Sequence, residues 1–208
     1  MKSQMKSQKL ILTLSWIIVI TTLLTLIVVF NKFGVITGRA TDTGEANLTI
    51  NTSASISFVD NSVNWGSGSV DETPSFAILD TNGTTAAGTA VINGSWNNET
   101  TGLMLRNDGN VNVSVDLVSS KDAAAFIGGT NPAFKWAISN NETGSCAAGI
   151  ANTGYTDVNT TAPGTRICDD LQYADSNDEL IIDLYVRVPE DALGTKGAVI
   201  TATGTALA

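Results

Sequence analysis

The sequence predicts a mainly β protein: an N-terminal transmembrane helix followed by one antiparallel β-sandwich. Three observations carry this. Residues Leu10 to Phe30 include no charged side chain. Beyond residue 45, apolar and polar residues alternate in short runs. Gly, Asn and Asp punctuate those runs, while Lys and Glu are too scarce for long amphipathic helices. The chain divides into a short basic tail at 1–9, a transmembrane helix or signal-anchor at 10–33, a linker at 34–45 and an extracytoplasmic β domain at 46–208.

The apolar run comes first. As a helix rising about 1.5 Å per residue, its 21 residues can cross a hydrocarbon core of roughly 30 Å. Lys2, Lys6 and Lys9 precede it, and Lys32 and Arg39 follow. All 20 acidic residues lie from Asp42 onward, against six of the 11 basic ones. Basic residues collect on the cytoplasmic side of a span. The expectation is a single-pass cell-membrane protein with its N-terminus inside and its C-terminal domain outside. A cleaved signal peptide has an apolar stretch of about 7–15 residues and a small-residue site soon after it. This run is longer, and the nearest such site is Gly38-Arg39-Ala40. A retained anchor is therefore expected, with cleavage as the alternative. Thr21 and Thr25 lie one turn apart, a spacing that lets helices approach closely.

The β elements follow. Ala46 to Phe58 places Leu48, Ile50, Thr52, Ala54, Ile56 and Phe58 on one face of an expected first strand. Leu103 and Leu105, then Asn107-Asp108-Gly109, then Val111, Val113, Val115 and Leu117 read as a hairpin with a three-residue loop. That register pairs Leu105 with Val111 and Leu103 with Val113, with Gly109 at the left-handed position. Phe134 to Ile138 reads as a core strand around Trp136. Leu180, Ile182, Leu184, Val186 and Val188 share a face, Pro189 to Gly194 turns the chain, and Ala198 to Ala206 closes the domain. Short strands with frequent turns argue for an antiparallel sandwich.

Asn-x-Ser/Thr occurs at Asn47, Asn51, Asn82, Asn93, Asn98, Asn112, Asn141 and Asn159, none of them in the tail or span. These are expected glycan acceptors on an outward-facing domain, although a chain rich in Asn, Ser and Thr also produces sequons by chance. Cys146 and Cys168 are the only cysteines. A disulfide between them would close a loop of about 20 residues; two buried thiols are the alternative.

Chemistry is sparse. The absence of His removes imidazole triads and imidazole metal sites, and no nucleophile-elbow, Walker or dinucleotide motif occurs. An enzyme is not expected, and the acidity outside argues against nucleic acid. Asp175, Asn177 and Glu179 alternate in the densest acidic stretch and could, with a carbonyl, hold Ca²⁺; a solvated loop is the alternative. No other cofactor is expected. Trp65, Trp96, Trp136 and Tyr155 are the residues a sugar-stacking platform would use.

The segment Val35-Ile36-Thr37-Gly38-Arg39-Ala40-Thr41-Asp42-Thr43-Gly44, leading into Asn47-Leu48-Thr49-Ile50, resembles membrane-anchored surface proteins of small-genome archaea. Asn107 to Val113, and Val188-Pro189-Glu190-Asp191-Ala192 on to Gly197, are similar to stretches of immunoglobulin-like archaeal secreted domains, some of them TasA-like pilins. The resemblance implies an immunoglobulin-like β-sandwich ectodomain and brings no functional residues with it. Archaeal type IV pilins and archaellins also join an apolar helix to a β-sandwich. Here Ser7-Gln8-Lys9 runs straight into Leu10 and no Glu follows in the first turn, which departs from their pattern.

The expected function is a structural or interaction protein of the cell surface that assembles into a filament or coat. The alternatives are a surface binding module (adhesin or carbohydrate-binding) and a type IV pilin-like subunit. Its partners would be membrane lipid, further copies of itself, and other surface proteins or glycans. In an assembly that lends strands, Ala46 to Phe58 is the segment to be lent; otherwise it is simply the domain's own first strand.

Overall fold

The computed structural model describes residues 2–32, 45, 48–73, 75–83, 91–94, 96 and 101–207. The expected linker, apart from Glu45, lies outside the described residues. The chain forms two units, 1–49 and 50–208.

The first unit contains helix α1, Lys2–Lys32. Its window Ile11–Val28 has a mean hydropathy of 2.5, and none of it is buried. Among the described residues this is the one helix long and apolar enough to cross a membrane. Polar atoms in such a run need partners within the helix. The hydroxyls of Thr21, Thr22 and Thr25 each donate to carbonyls three and four residues back, at 2.9 Å.

The second unit is built of antiparallel strands: β1 Ile56–Asp60, β2 Gly68–Val70, β3 Phe76–Asp80, β4 Val91–Gly94, β5 Leu103–Asn107, β6 Val113–Ser119, β7 Ala133–Asn140, β8 Thr156–Asp157, β9 Thr165–Leu171, β10 Glu179–Pro189 and β11 Ile200–Ala206. A one-turn helix, α2 Ala123–Phe126, follows β6. It is capped by Asp122, whose side chain accepts from the Ala125 N–H at 2.7 Å.

One sheet runs β1-β5-β10-β7-β8, a second β11-β6-β9, and β2 pairs with β4. The first is organised by β10, whose apolar residues recur every second position. Leu180, Ile182, Leu184 and Val186 are all buried, as period-two patterning requires. On one edge β10 pairs with β7 along most of its length. The other edge is shared end to end by β5, opposite Glu179 to Ile182, and β3, opposite Tyr185 to Pro189. Thr81 bridges the break: its N–H donates to the Leu184 carbonyl, and its hydroxyl accepts from the Leu184 N–H and donates to Asp183. Apolar residues of both larger sheets meet in one core, with Leu105, Trp136, Ile138, Leu180 and Ile182 from the first and Val113, Val115, Leu117, Ile167 and Leu171 from the second.

Two expectations need correction. Leu103 to Leu117 is not a hairpin, because β5 and β6 belong to different sheets. Both strands send their apolar faces into the same core, so the pattern alone does not separate a hairpin from a sheet-to-sheet corner. The Asn107 side chain makes the corner. It is 1% exposed, donates to the carbonyls of Val111, Leu171 and Gln172, and accepts from the Gly109 N–H. Gly109 is not in the left-handed region; it is required because a Cβ there would collide with the Ser53 carbonyl. The first strand is also shorter than expected. It begins at Ile56 rather than at residue 46, and Leu48 and Ile50 remain 84% and 76% exposed.

Candidate functional site

Cys146 and Cys168 are bonded to each other and buried. Cys146 forms a bridge with Leu171, and Ile150 with Cys168. The disulfide thus fastens a stretch with few strand residues, between β7 and β8, onto β9.

Of Asp175, Asn177 and Glu179, the last is engaged with other side chains, and Asn177 Oδ1 is buried without a hydrogen-bond partner. Glu179 is held by the Arg106 guanidinium, with Nε to Oε1 at 2.8 Å, and by Asn141 Nδ2 at 2.6 Å. Asp175 is exposed, and Asn177 begins the return into β10. Among the described residues no three acidic or cysteine side chains converge as a metal site would require. The hydrogen bond from Arg106 holds the Glu179 carboxyl below its ordinary value. Burial raises that of the neighbouring Asp178, and Glu142, whose Oε2 accepts from the Asp178 N–H, adds to the rise. Asp183 is likewise raised by burial. The Tyr155 phenol is pushed up by burial and then by Asp80 and Asp183.

Of the sequons, Asn47 and Asn98 and the side chain of Asn93 lie outside the described residues. Asn51 and Asn82 are exposed. Asn112 donates its amide to Asp170 at 2.8 Å and Asn141 donates to Glu179 at 2.6 Å, so both side-chain amides are engaged with a carboxylate. Asn159 is half-buried, and its Oδ1 accepts from the Thr161 N–H.

The four aromatics do not form one platform. Trp136 is fully buried. Tyr155 packs on Tyr185 with ring centroids 5.3 Å apart. Trp65 and Trp96 instead line a groove of about 1010 Å³, with Trp96 lying so close over Gly68 that a Cβ there would strike its ring.

This groove was not visible in the sequence. It is walled by Phe58 and the 61–70 stretch on one side and by Leu193 to Ile200 on the other, over a floor that includes Phe134 and Leu184. Its origin lies in the sheet edges. Among the described residues β1 pairs only with β5, and β11 only with β6. The two free edges meet where Ile56 lies over Gly204, and the groove opens beyond that contact, alongside Phe58 and Ile200. Leu193 and Val199 stand 81% and 64% exposed on its rim. The Trp65 indole Nε1 is buried in this wall without a hydrogen-bond partner. A trough that sets Trp65, Trp96 and Phe134 beside Asn61, Asn64 and Lys196 is suited to an extended chain that brings both aliphatic side chains and backbone polar groups.

No protein-family model, curated protein or solved structure matches the chain.

Proposed function

We propose that this protein is a structural or interaction subunit of the outer cell surface, held by α1 as a single-pass anchor with the β domain outside. In this reading the two sheets close as an immunoglobulin-like sandwich, the exposed sequons carry glycans, and the domain has no catalytic role. It associates with further copies into a filament or coat. The observation that carries the reading is the groove beside β1 and β11, strands that among the described residues each pair on one edge only, on a chain that also bears an apolar helix with none of its Ile11–Val28 window buried. Unpaired edges beside apolar surface serve association, and soluble domains normally cover or charge them.

Negative-stain microscopy of native surface material tests the proposal. Filaments or a regular coat containing this chain are expected, and a dispersed monomer in the membrane would defeat it. A second reading, a binding module for a sugar or another surface protein, has support from Trp65 and Trp96 at the groove. It predicts that saturating ligand quenches their fluorescence in protein that stays monomeric.

A further inference from the structure

We propose that the groove between β1 and β11 receives the residues preceding β1 from a second copy of this chain, with Leu48 and Ile50 as the seated side chains. The inference rests on the reading of the protein as a self-associating surface subunit.

The two halves of such a contact lie at opposite ends of the domain. Residues 51–53 are clamped to the β5–β6 corner. The Ser53 N–H donates to Asn110 Oδ1 at 2.7 Å, Asn110 Nδ2 donates to the Asn51 carbonyl at 2.9 Å, and the Asn110 N–H donates to the Ser53 carbonyl at 3.0 Å. This is the end where Ile56 faces Asn107 and Ala206 faces Val113. The groove opens at the other end, where Asp60 faces Met104 and Ile200 faces Ser119. The seven residues of β11 between those ends span roughly 20 Å. The chain's own Ile50 is therefore held at the wrong end to fill its own groove.

The surfaces match in chemistry. Leu48 and Ile50 recur at the two-residue period and stand 84% and 76% exposed, so one face of an extended segment is aliphatic and unpartnered. The groove offers the apolar surfaces of Phe58, Trp65, Trp96 and Ile200, with polar side chains such as Asn61 and Asn64 among them for the backbone of an entering segment. A contact that joins one end of a molecule to the opposite end of the next is heterologous. It repeats as an open chain of copies rather than closing as a two-fold dimer.

The test uses the full-length protein in detergent. Ile50→Cys and Val199→Cys chains, mixed and mildly oxidised, are expected to give a 50–199 cross-linked dimer. Chains carrying both substitutions should give a ladder of higher oligomers. Ile50→Asp should weaken self-association about tenfold to a hundredfold, with an unchanged thermal transition because the residue is exposed. A symmetric Ile50–Ile50 link, or an intramolecular link in the double variant at high dilution, overturns the proposal. So does protection of Val199→Cys by detergent alone without any 50–199 link, which would assign the groove to a small apolar molecule. If amine–carboxyl cross-linking shows oligomers of the unsubstituted chain but no 50–199 link forms, this docking mode is wrong while the surface-subunit reading survives. If the unsubstituted chain is monomeric at every concentration, both fail.

Discussion

Residues 46–58 and Leu180 to Val188 carry the same alternation and meet different fates. In β10 Leu180, Ile182, Leu184 and Val186 are buried, the first two at 0% exposure, in a strand whose neighbours occupy both edges. Among the described residues of the earlier segment only the stretch from Ile56 pairs as a strand, with β5 on one edge. The four positions Leu48, Ile50, Thr52 and Ala54 all remain exposed. Alternation therefore states which face is apolar. Whether that face becomes a strand of its own domain depends on what lies beside it.

The most direct way to break this comparison is to truncate one residue in each segment. Ile182→Ala should destabilise the domain by about 2–5 kcal/mol, through lost burial and the cavity left behind. Ile50→Ala should change stability by less than about 0.5 kcal/mol, as expected for an exposed site. Urea unfolding of the full chain, at a concentration too low for association, measures both. Similar losses at the two positions would show that residues 46–55 belong to the fold of their own domain.

A second contrast is between β10, held by pairing on both edges, and the 141–152 stretch, held by its disulfide. The cross-link joins residues 22 apart, so replacing both Cys146 and Cys168 by Ala should cost about 3 kcal/mol on the chain-entropy account. Limited proteolysis should then cut between β7 and β8 first while β10 stays protected. Cleavage appearing first in β10 would contradict this division of labour.

What could be read from the sequence follows the same line. The apolar helix, β10, the core strand around Trp136 and the cysteine pairing are strong local signals, namely an uncharged run, strict alternation and two lone cysteines. The β5–β6 corner reads as a hairpin in the sequence because Leu103, Leu105, Val113 and Val115 carry the same apolar pattern whether they pair with each other or face each other across a core. What decides is the Asn107 side chain, whose acceptors at Leu171 and Gln172 lie more than 60 residues away. The groove has no sequence signature, since its walls come from segments far apart in the chain, 58–70 and 192–200. The engagement of Glu179 is not legible in the acidic stretch itself, because its partner Arg106 sits 73 positions earlier.

The acidic approach to β10 sharpens the comparison through pH, because its two adjacent carboxyls shift in opposite directions. Glu179 is lowered in the folded protein by Arg106. Its contribution is present above the unfolded carboxylate value, about 4.3, and is lost as pH falls through the lower folded value. Asp178 is raised by burial. Its contribution is full below its unfolded value, about 3.9, and is lost as pH rises through the raised folded value. Glu179→Gln should therefore lower the thermal midpoint at pH 7 and flatten its fall on acidification. Asp178→Asn should raise the midpoint at pH 7 and leave it little changed near pH 3. Midpoints measured from pH 3 to 8 decide this, and the reverse order of the two variants would refute the assignment.

The smallest effect concerns what holds residues 51–53 although they form no strand. The Asn110 side chain acts there as a substitute peptide group, accepting from one backbone N–H and donating to one carbonyl. Asn110→Ala removes those two bonds and leaves the backbone bond to Ser53. At an exposed site where water replaces the lost partners, the cost should stay below about 1 kcal/mol. The local consequence is larger than the global one. The Ser53 amide should exchange hydrogen faster, while the amides of β1 beyond Ile56, paired to β5, keep their protection. Loosening that spread into β1 would mean the clamp and the strand open as one unit, and the segment before Ile56 would then be an extension of the sheet. Loosening confined to residues 51–53 would mean that Asn110 fixes only the direction in which the segment leaves the domain. In that case Asn110→Ala should also blur the direction in which Leu48 and Ile50 are presented, reducing cross-linking at Ile50→Cys without altering the fold that accepts it.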